Sequence, residues 1–358
     1  MTHVLVVNTG SSSLKLALLD GADEVVDSVM LDRWTGGDET EDIKAFVNGL
    51  PRVDAVGHRI VHGGGTFTGP VRLDDDVRDQ IASLAELAPL HQPRGVAGID
   101  AVGTVLPDVP AVACFDTAFH HDLPAAAATY ALPRAWNERW SLRRYGFHGL
   151  SHAHVARRVA ELVGPGLRIV SCHLGSGASL TAIHNGHSVD TTMGFTPLAG
   201  LVMATRSGDV DPGLLLWLLN RVDSKELSDA LEHRSGLAGL SDGSGDLRDI
   251  VGSDDPTAIL ALDVYLHRLR REIAAMAAAM NGLDVLVFTG GVGEHQPPVR
   301  AAAADGLAFL GVRISASANE TATKAGDSDI TAAGAPVRTL VVPAREDVEI
   351  ARQVRSVA

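Results

Sequence analysis

A chain of 358 residues with 30 basic and 44 acidic side chains carries a formal charge of −14 at pH 7. That charge disfavours nucleic acid as a partner and demands that any anionic ligand be held by a local cationic cluster. With 46% hydrophobic and 21% charged residues, the composition excludes intrinsic disorder and fits a globular protein of about two domains.

Val4–Asn8 reads as a buried strand, followed by the loop Thr9-Gly10-Ser11-Ser12-Ser13. Leu14–Leu19 is a second strand that ends at an Asp20-Gly21 turn, and Glu24–Val26 begins a third. The pattern returns as strand Ile169–Leu174, loop Gly175-Ser176-Gly177, strand Ser179–His184 and the hairpin signal Asn185-Gly186. Aligning Gly10 with Gly175 also aligns Ser11 with Ser176, Ala17 with Ala182, Asp20 with Asn185 and Gly21 with Gly186, and sets Asn8 opposite His173. Either the two halves are duplicated α/β domains, or common residues coincide by chance.

Asp211-Pro212 opens a helix running to Leu219. Asp255-Pro256 opens a long one over Thr257–Met280, stopped by Asn281-Gly282. Val285–Thr289 is a buried strand leading into a third glycine loop, Gly290-Gly291-Val292-Gly293, and Glu346–Val354 is a closing helix. Cys114 and Cys172 cannot form a disulfide framework. There is no basic segment before Val4, and no apolar run approaches the roughly 18–20 residues a membrane span needs. The sequence therefore reads as a soluble, cytoplasmic protein with no membrane partner.

Glycine-rich turns after strands let backbone N–H groups surround phosphate oxygens, and three of them suggest a nucleotide cleft. Neither a Walker lysine loop nor a complete G-x-G-x-x-G is present, which argues against P-loop and dehydrogenase folds. Arg59, in His58–Gly65, and Arg206, in Ala204–Asp209, present forks suited to carboxylate or phosphate, or else pair structurally with a nearby Asp. Asp116 at a strand end is either a positioning carboxylate or a turn residue. His148 is either a site donor or a hydrogen-bonded loop histidine. The spacing of His148, His152 and His154 matches no common zinc site.

The stretches Val7–Lys15, His58–Gly64, Ala88–His91, Phe115–His120, Arg143–His152, His173–Ser179, Thr205–Pro212, Phe288–Glu294 and Pro343–Glu346 resemble, essentially end to end, the acetokinase family of the sugar kinase, heat-shock chaperone and actin superfamily. The resemblance implies two duplicated ribonuclease-H-like, actin-like ATPase domains with an interdomain cleft. They would be 1–116 plus 344–358 on the acyl and metal side, and 117–343 on the nucleotide side. It implies reversible phosphoryl transfer from ATP to acetate, giving acetyl phosphate and ADP, with Mg2+ or Mn2+, in a homodimer.

Carried over by position, Asn8 and Glu346 would place the metal, and Arg59 would bind the carboxylate. Val61, Leu90, Phe147 and Pro197 would enclose the methyl group. Asp116 would orient reactants, and His148 and Arg206 would stabilise the transferring group. Lys15, His173, Leu174, Gly175, Ser176, Gly177, Asp246, Leu247, Arg248, Gly291, Val292, Gly293, Glu294 and His295 would surround the nucleotide. Ser176, Leu247, His295 and Arg345 depart from the usual family pattern. The rival readings are a propionate or butyrate kinase and a non-catalytic nucleotide-binding scaffold.

Overall fold

The computed structural model describes residues 3–10, 13–32, 34, 40–322 and 326–357. Ser11 and Ser12 of the first glycine-serine loop lie outside the described residues. The chain forms two compact units. One comprises Met1–His121, Phe147–His154 and Arg345–Ala358; the other comprises Asp122–Gly146 and Val155–Ala344.

In the first unit, β1 (Val4–Thr9), β2 (Ser13–Leu19), β3 (Val25–Asp32), β4 (Ala55–Ile60), β5 (Val71–Arg72) and β6 (Ala111–Phe115) form one sheet in the order β3-β2-β1-β4-β6-β5. β1, β2 and β3 are antiparallel neighbours, whereas β1, β4 and β6 run parallel. The parallel strands are apolar on both faces because helices cover both. On one face lies α1 (Gln92–Val105), whose Val102 packs with Leu5, Val7, Trp34 and Ile43. On the other lies α6 (Glu346–Val357), whose Ile350, Ala351 and Val354 pack on Val4, Val6, Ala55 and Cys114. α6 sits so close that a Cβ on Gly57 would come within 2.5 Å of Ile350 Cγ2.

In the second unit, β7 (Arg168–Leu174), β8 (Ala178–His184), β9 (His187–Thr191), β10 (Val285–Thr289), β11 (Ser328–Asp329) and β12 (Arg338–Val341) follow the order β11-β12-β10-β7-β8-β9. Setting aside the two-residue edge strands β5 and β11, the orders 3-2-1-4-6 and 9-8-7-10-12 are the same. β7, β10 and β12 are parallel just as β1, β4 and β6 are. The duplication read from Gly10 and Gly175 is thus a duplication of topology, and each sheet is ribonuclease-H-like.

α2 (Gly149–Leu162) follows the return of the chain to the first unit, and α3 (Pro212–Leu218) begins at Asp211, which caps it by accepting from the Gly213 N–H at 2.6 Å. α4 (Pro256–Ala279) is capped by Asp255, with Pro256 in the first turn. It ends where Asn281 and Gly282 take positive φ. The third glycine segment corrects the sequence expectation. Gly290 turns the chain at φ +78°, and Gly290–His295 is a short helix, α5, rather than an open loop. Among the described residues, no helix is long and apolar enough to cross a membrane.

Candidate active site

Parallel register builds the polar centre of the first unit. Asn8 on β1 is the Cα partner of Arg59 on β4, and Arg59 is the partner of Cys114 on β6. Asp116 lies two residues past Cys114, so Asn8, Arg59 and Asp116 share one face at the carboxyl ends of three adjacent strands. Arg59 Nε donates to Asp116 Oδ1 at 3.2 Å and to Oδ2 at 3.1 Å, and its terminal nitrogen Nη2 donates to Oδ2 at 2.7 Å. Its other terminal nitrogen, Nη1, donates to Asn8 Oδ1 at 3.0 Å and lies 3.9 Å from Glu346 Oε2. Asn8 Nδ2 donates to the same Glu346 oxygen at 3.3 Å. Glu346 is the first residue of α6, so that helix delivers it to the strand ends.

Asp116 is 1% exposed. Burial raises its pKa to about 6, opposed by the charge and hydrogen bonds of Arg59. Burial works against the Arg59 cation too, but Asp116 and Glu346 more than offset it and hold the guanidinium above its ordinary value. The pair is therefore a fixed cation with a carboxylate holding one edge, and its remaining edge faces Asn8 and Glu346.

A second set of contacts fixes the loops around this centre. Gln92, at the start of α1, uses Nε2 to donate to the His62 carbonyl at 2.9 Å and receives the His62 N–H on Oε1 at 3.3 Å. The Gly63 N–H donates to Thr117 Oγ1 at 3.0 Å, and the His62 ring accepts from the Gly64 N–H on Nδ1 at 2.8 Å. His62 also meets the Phe147 ring edge-on, with centroids 5.4 Å apart. Phe147 is buried, Val61 half-buried and Leu90 exposed. His148 has φ +56°, a costly conformation for a residue with a side chain. The next N–H, of Gly149, donates to the Asp116 carbonyl at 2.8 Å. Lys15 belongs to this unit, exposed on β2 as the Cα partner of Asn8.

In the second unit, a cavity of about 540 Å³ is lined by Gly175, Ser176, Asp246, Leu247, Arg248, Gly291, Val292 and His295, together with Ala204, Leu237, Gly245 and Gln296. Its size and mixed lining suit a nucleotide. The last four were not picked out from the sequence: Ala204, Leu237 and Gly245 are small or apolar, and Gln296 lies just past the third glycine segment. His173 ends β7, while Leu174 and Gly293 are buried behind the cavity, and Gly177 accepts the Gly175 N–H at 3.0 Å. Glu294 works as a brace: its Oε1 receives the Gly290 N–H at 3.1 Å and the Ala344 N–H at 2.9 Å.

Arg206 is held by its backbone on both sides. The Met203 N–H donates to the Arg206 carbonyl, and the Ser207 N–H donates to the Leu231 carbonyl. Its Nη1 donates to the Pro197 carbonyl at 2.6 Å, and burial lowers its pKa. The three departures Ser176, Leu247 and His295 thus line one cavity, while Arg345 lies in the first unit. There Arg345 donates to Asp347 at 2.9 Å and to the Asp23 carbonyl at 2.9 Å.

Two ribonuclease-H-like sheets of matching order, with an anchored guanidinium in one unit and a nucleotide-sized cavity in the other, place the chain among phosphotransferases of the actin-like ATPase fold. A profile of the Acetokinase family matches residues 39–352. The acetate kinase of Acetivibrio thermocellus is 40% identical over 392 residues, covering 98% of both chains. The crystal structure of Porphyromonas gingivalis acetate kinase superposes with a TM-score of 0.90 at 34% identity over the whole of both chains. A propionate kinase from Francisella tularensis subsp. tularensis SCHU S4 gives 0.92 at 32% identity, again over the whole of both. The chain belongs to the acetokinase family.

Proposed function

We propose that this protein is an acetate kinase, transferring the γ-phosphoryl group of ATP reversibly to acetate to give acetyl phosphate and ADP. The observation that supports the reading is the Arg59 guanidinium at the strand ends, fixed on one edge by Asp116 and meeting Asn8 and Glu346 on the other. Acetate is ionised at neutral pH, so no base is needed to deprotonate it. An anion attacking an anion needs alignment and charge neutralisation instead. Arg59 supplies a permanent positive charge for the carboxylate, and Asp116 orients that cation. His148 and Arg206 stabilise the transferring group. Val61, Leu90, Phe147 and Pro197 surround the methyl group.

The nucleotide belongs in the 540 Å³ cavity, with His173, Leu174, Gly177, Gly293 and Glu294 as further nucleotide-side residues and Lys15, on the first unit, assigned to its phosphates. The acyl and metal side is assigned to 1–116 plus 344–358, and the nucleotide side to 117–343.

Magnesium fits the donors available. Asn8 Oδ1 and the Glu346 carboxylate are hard oxygen ligands, and Mg2+ is commonly held by one or two carboxylates while keeping waters and substrate phosphates. Among the described residues, no cluster of three or more His, Cys, Asp or Glu could hold a metal by itself. The ion therefore suits a shell completed by the nucleotide rather than a resident metal centre. When bound, it would neutralise phosphate charge.

A homodimer is supported by α3. None of its seven residues, Pro-Gly-Leu-Leu-Leu-Trp-Leu, is fully buried in the single chain; Leu215 and Leu218 are half-buried, and Leu216 and Trp217 are 66% and 52% exposed. Free thiols at Cys114 and Cys172 suit the cytoplasm.

The test is a hydroxamate assay for acyl phosphate with acetate, ATP and Mg2+, repeated with propionate and butyrate. Turnover falling with each added methylene supports acetate. Preference for propionate selects the reading suggested by the Francisella relative. Nucleotide binding without any acyl phosphate selects a scaffold.

A further inference from the structure

The peptide units on either side of His148 are both held by a single short stretch of chain, Asp116–His120. On one side, the Gly149 N–H donates to the Asp116 carbonyl at 2.8 Å. On the other, the ring of His120 lies with Nε2 3.1 Å from the Phe147 carbonyl oxygen. A carbonyl only accepts, so Nε2 must carry the hydrogen. His120 is wholly buried, its ring edge-on to His152 at 5.8 Å and to Phe119 at 5.6 Å. Burial lowers its pKa to about 4, so the ring remains neutral wherever the enzyme would be assayed. A buried imidazole at this position is costly unless its polar atoms are used, and the reaction proposed above has no use for it.

We propose that His120 is a positioning residue: its Nε2–H bond to the Phe147 carbonyl fixes the 147–148 peptide and so holds His148 in the left-handed conformation from which its imidazole meets the transferring phosphoryl group. The inference rests on the proposed role of His148. Without the Nε2 bond, the 147–148 peptide is free to rotate, and His148 has an easier conformation to fall into at φ below zero. The same stretch carries Asp116, which clamps Arg59. One turn after β6 thus sets two groups of the site: Arg59 through a side chain, and His148 through backbone carbonyls.

The decisive experiment compares His120→Gln with His120→Asn. A Gln amide nitrogen reaches the position of Nε2; an Asn amide stops one carbon short. Both are polar, and both remove the ring. The His120→Gln enzyme is expected to keep kcat within about threefold of the unaltered protein. The His120→Asn enzyme is expected to lose about tenfold or more, with KM for acetate and ATP changed by less than about twofold in both. Equal kcat in the two variants, at whatever level, overturns the proposal, as does a loss confined to KM.

His148→Ala, measured alongside, separates this inference from the reading beneath it. If His148→Ala keeps full turnover, the phosphoryl role of His148 is wrong and the inference falls with it. If His148→Ala is impaired while His120→Asn is not, only the inference fails. In the double variant His120→Asn/His148→Ala, the His120 change should add no further loss in kcat, since it acts through a side chain that is no longer there. An additional tenfold loss would overturn the proposal.

Discussion

Arg59 and Asp116 are joined along the whole side of the guanidinium, Nε to both carboxylate oxygens and Nη2 to one of them, although β4 and β6 reach them from opposite ends of a long stretch of sequence. A single contact would leave the fork free to rotate, whereas this arrangement fixes its plane. Replacing Asp116 by Asn removes the charge and leaves the amide unable to accept on both sides. Asp116→Asn is expected to lower kcat/KM for acetate about 10²-fold or more, with KM for ATP within about threefold. Steady-state kinetics against each substrate check this, and an unaltered acetate term would refute the clamp. Arg59→Lys should do comparable damage, because an ammonium cannot reproduce the fork.

Arg206 sits in the second unit with its cation partly desolvated. A desolvated charge acts strongly on charge developing nearby, so Arg206→Ala should cost on the order of 10³-fold in kcat, by analogy with an arginine finger. Turnover within tenfold of the unaltered enzyme would rule out that role. Far-ultraviolet circular dichroism on the same sample guards against misfolding as the cause.

Stability should fall on the acid side. Burial lowers His58 to about 3 and His120 to about 4, against about 6.5 for an unfolded histidine. As the pH drops below 6.5, the unfolded chain takes protons that these two folded imidazoles refuse, so each withdraws stability. Asp116, raised to about 6, has the opposite sign: the folded state protonates first, and stability rises as the pH falls from 6 toward 4. Two groups against one leave these three with a net loss of stability as the pH falls from 6 to 4.5. Urea unfolding at intervals across that window measures it. In His120→Gln the slope should be shallower, and an unchanged slope would show that His120 titrates normally.

Gly149 has no room for a side chain. A Cβ there would lie 2.2 Å from the Asp116 carbonyl oxygen, the acceptor of the Gly149 N–H itself. Gly149→Ala must push the two loops apart, at a cost of about 1–3 kcal/mol, and should reduce kcat more than it reduces substrate affinity. Calorimetry and kinetics on one preparation would show both losses. A stable, fully active variant would mean that the loop spacing does not matter.

The helix Pro212–Leu218 provides a test of assembly. Leu216→Asp together with Trp217→Glu puts two charges on an apolar surface that already faces solvent in the single chain. If that surface joins two copies, light scattering should show the mass halved, with the fold intact. An unchanged dimer would place the interface elsewhere.

Much of the architecture was legible locally. The glycine-serine loops, the Asp211 and Asp255 caps and the Asn281-Gly282 stop all act over a few residues, so each left its mark in sequence. Asn8, Arg59, Asp116 and Glu346 could be named individually, but their meeting is a consequence of parallel register between strands far apart in the chain. Gly290–Gly293 looked like a loop because glycine permits one. The positive φ of Gly290 finishes the turn within one residue and lets a helix begin at once. Gln92, Thr117 and His120 escaped assignment because they hold backbone atoms, and no residue pattern announces which carbonyl a buried side chain will meet.

Because α6 rests on β1, β4 and β6 and contributes Glu346, a sheet whose strands lie within residues 4–115 is completed by a segment that comes much later in the chain. On the ribosome, the N-terminal sheet must wait with one greasy face bare while more than two hundred further residues emerge. That bare face is the surface that a chaperone would need to shield until α6 arrives.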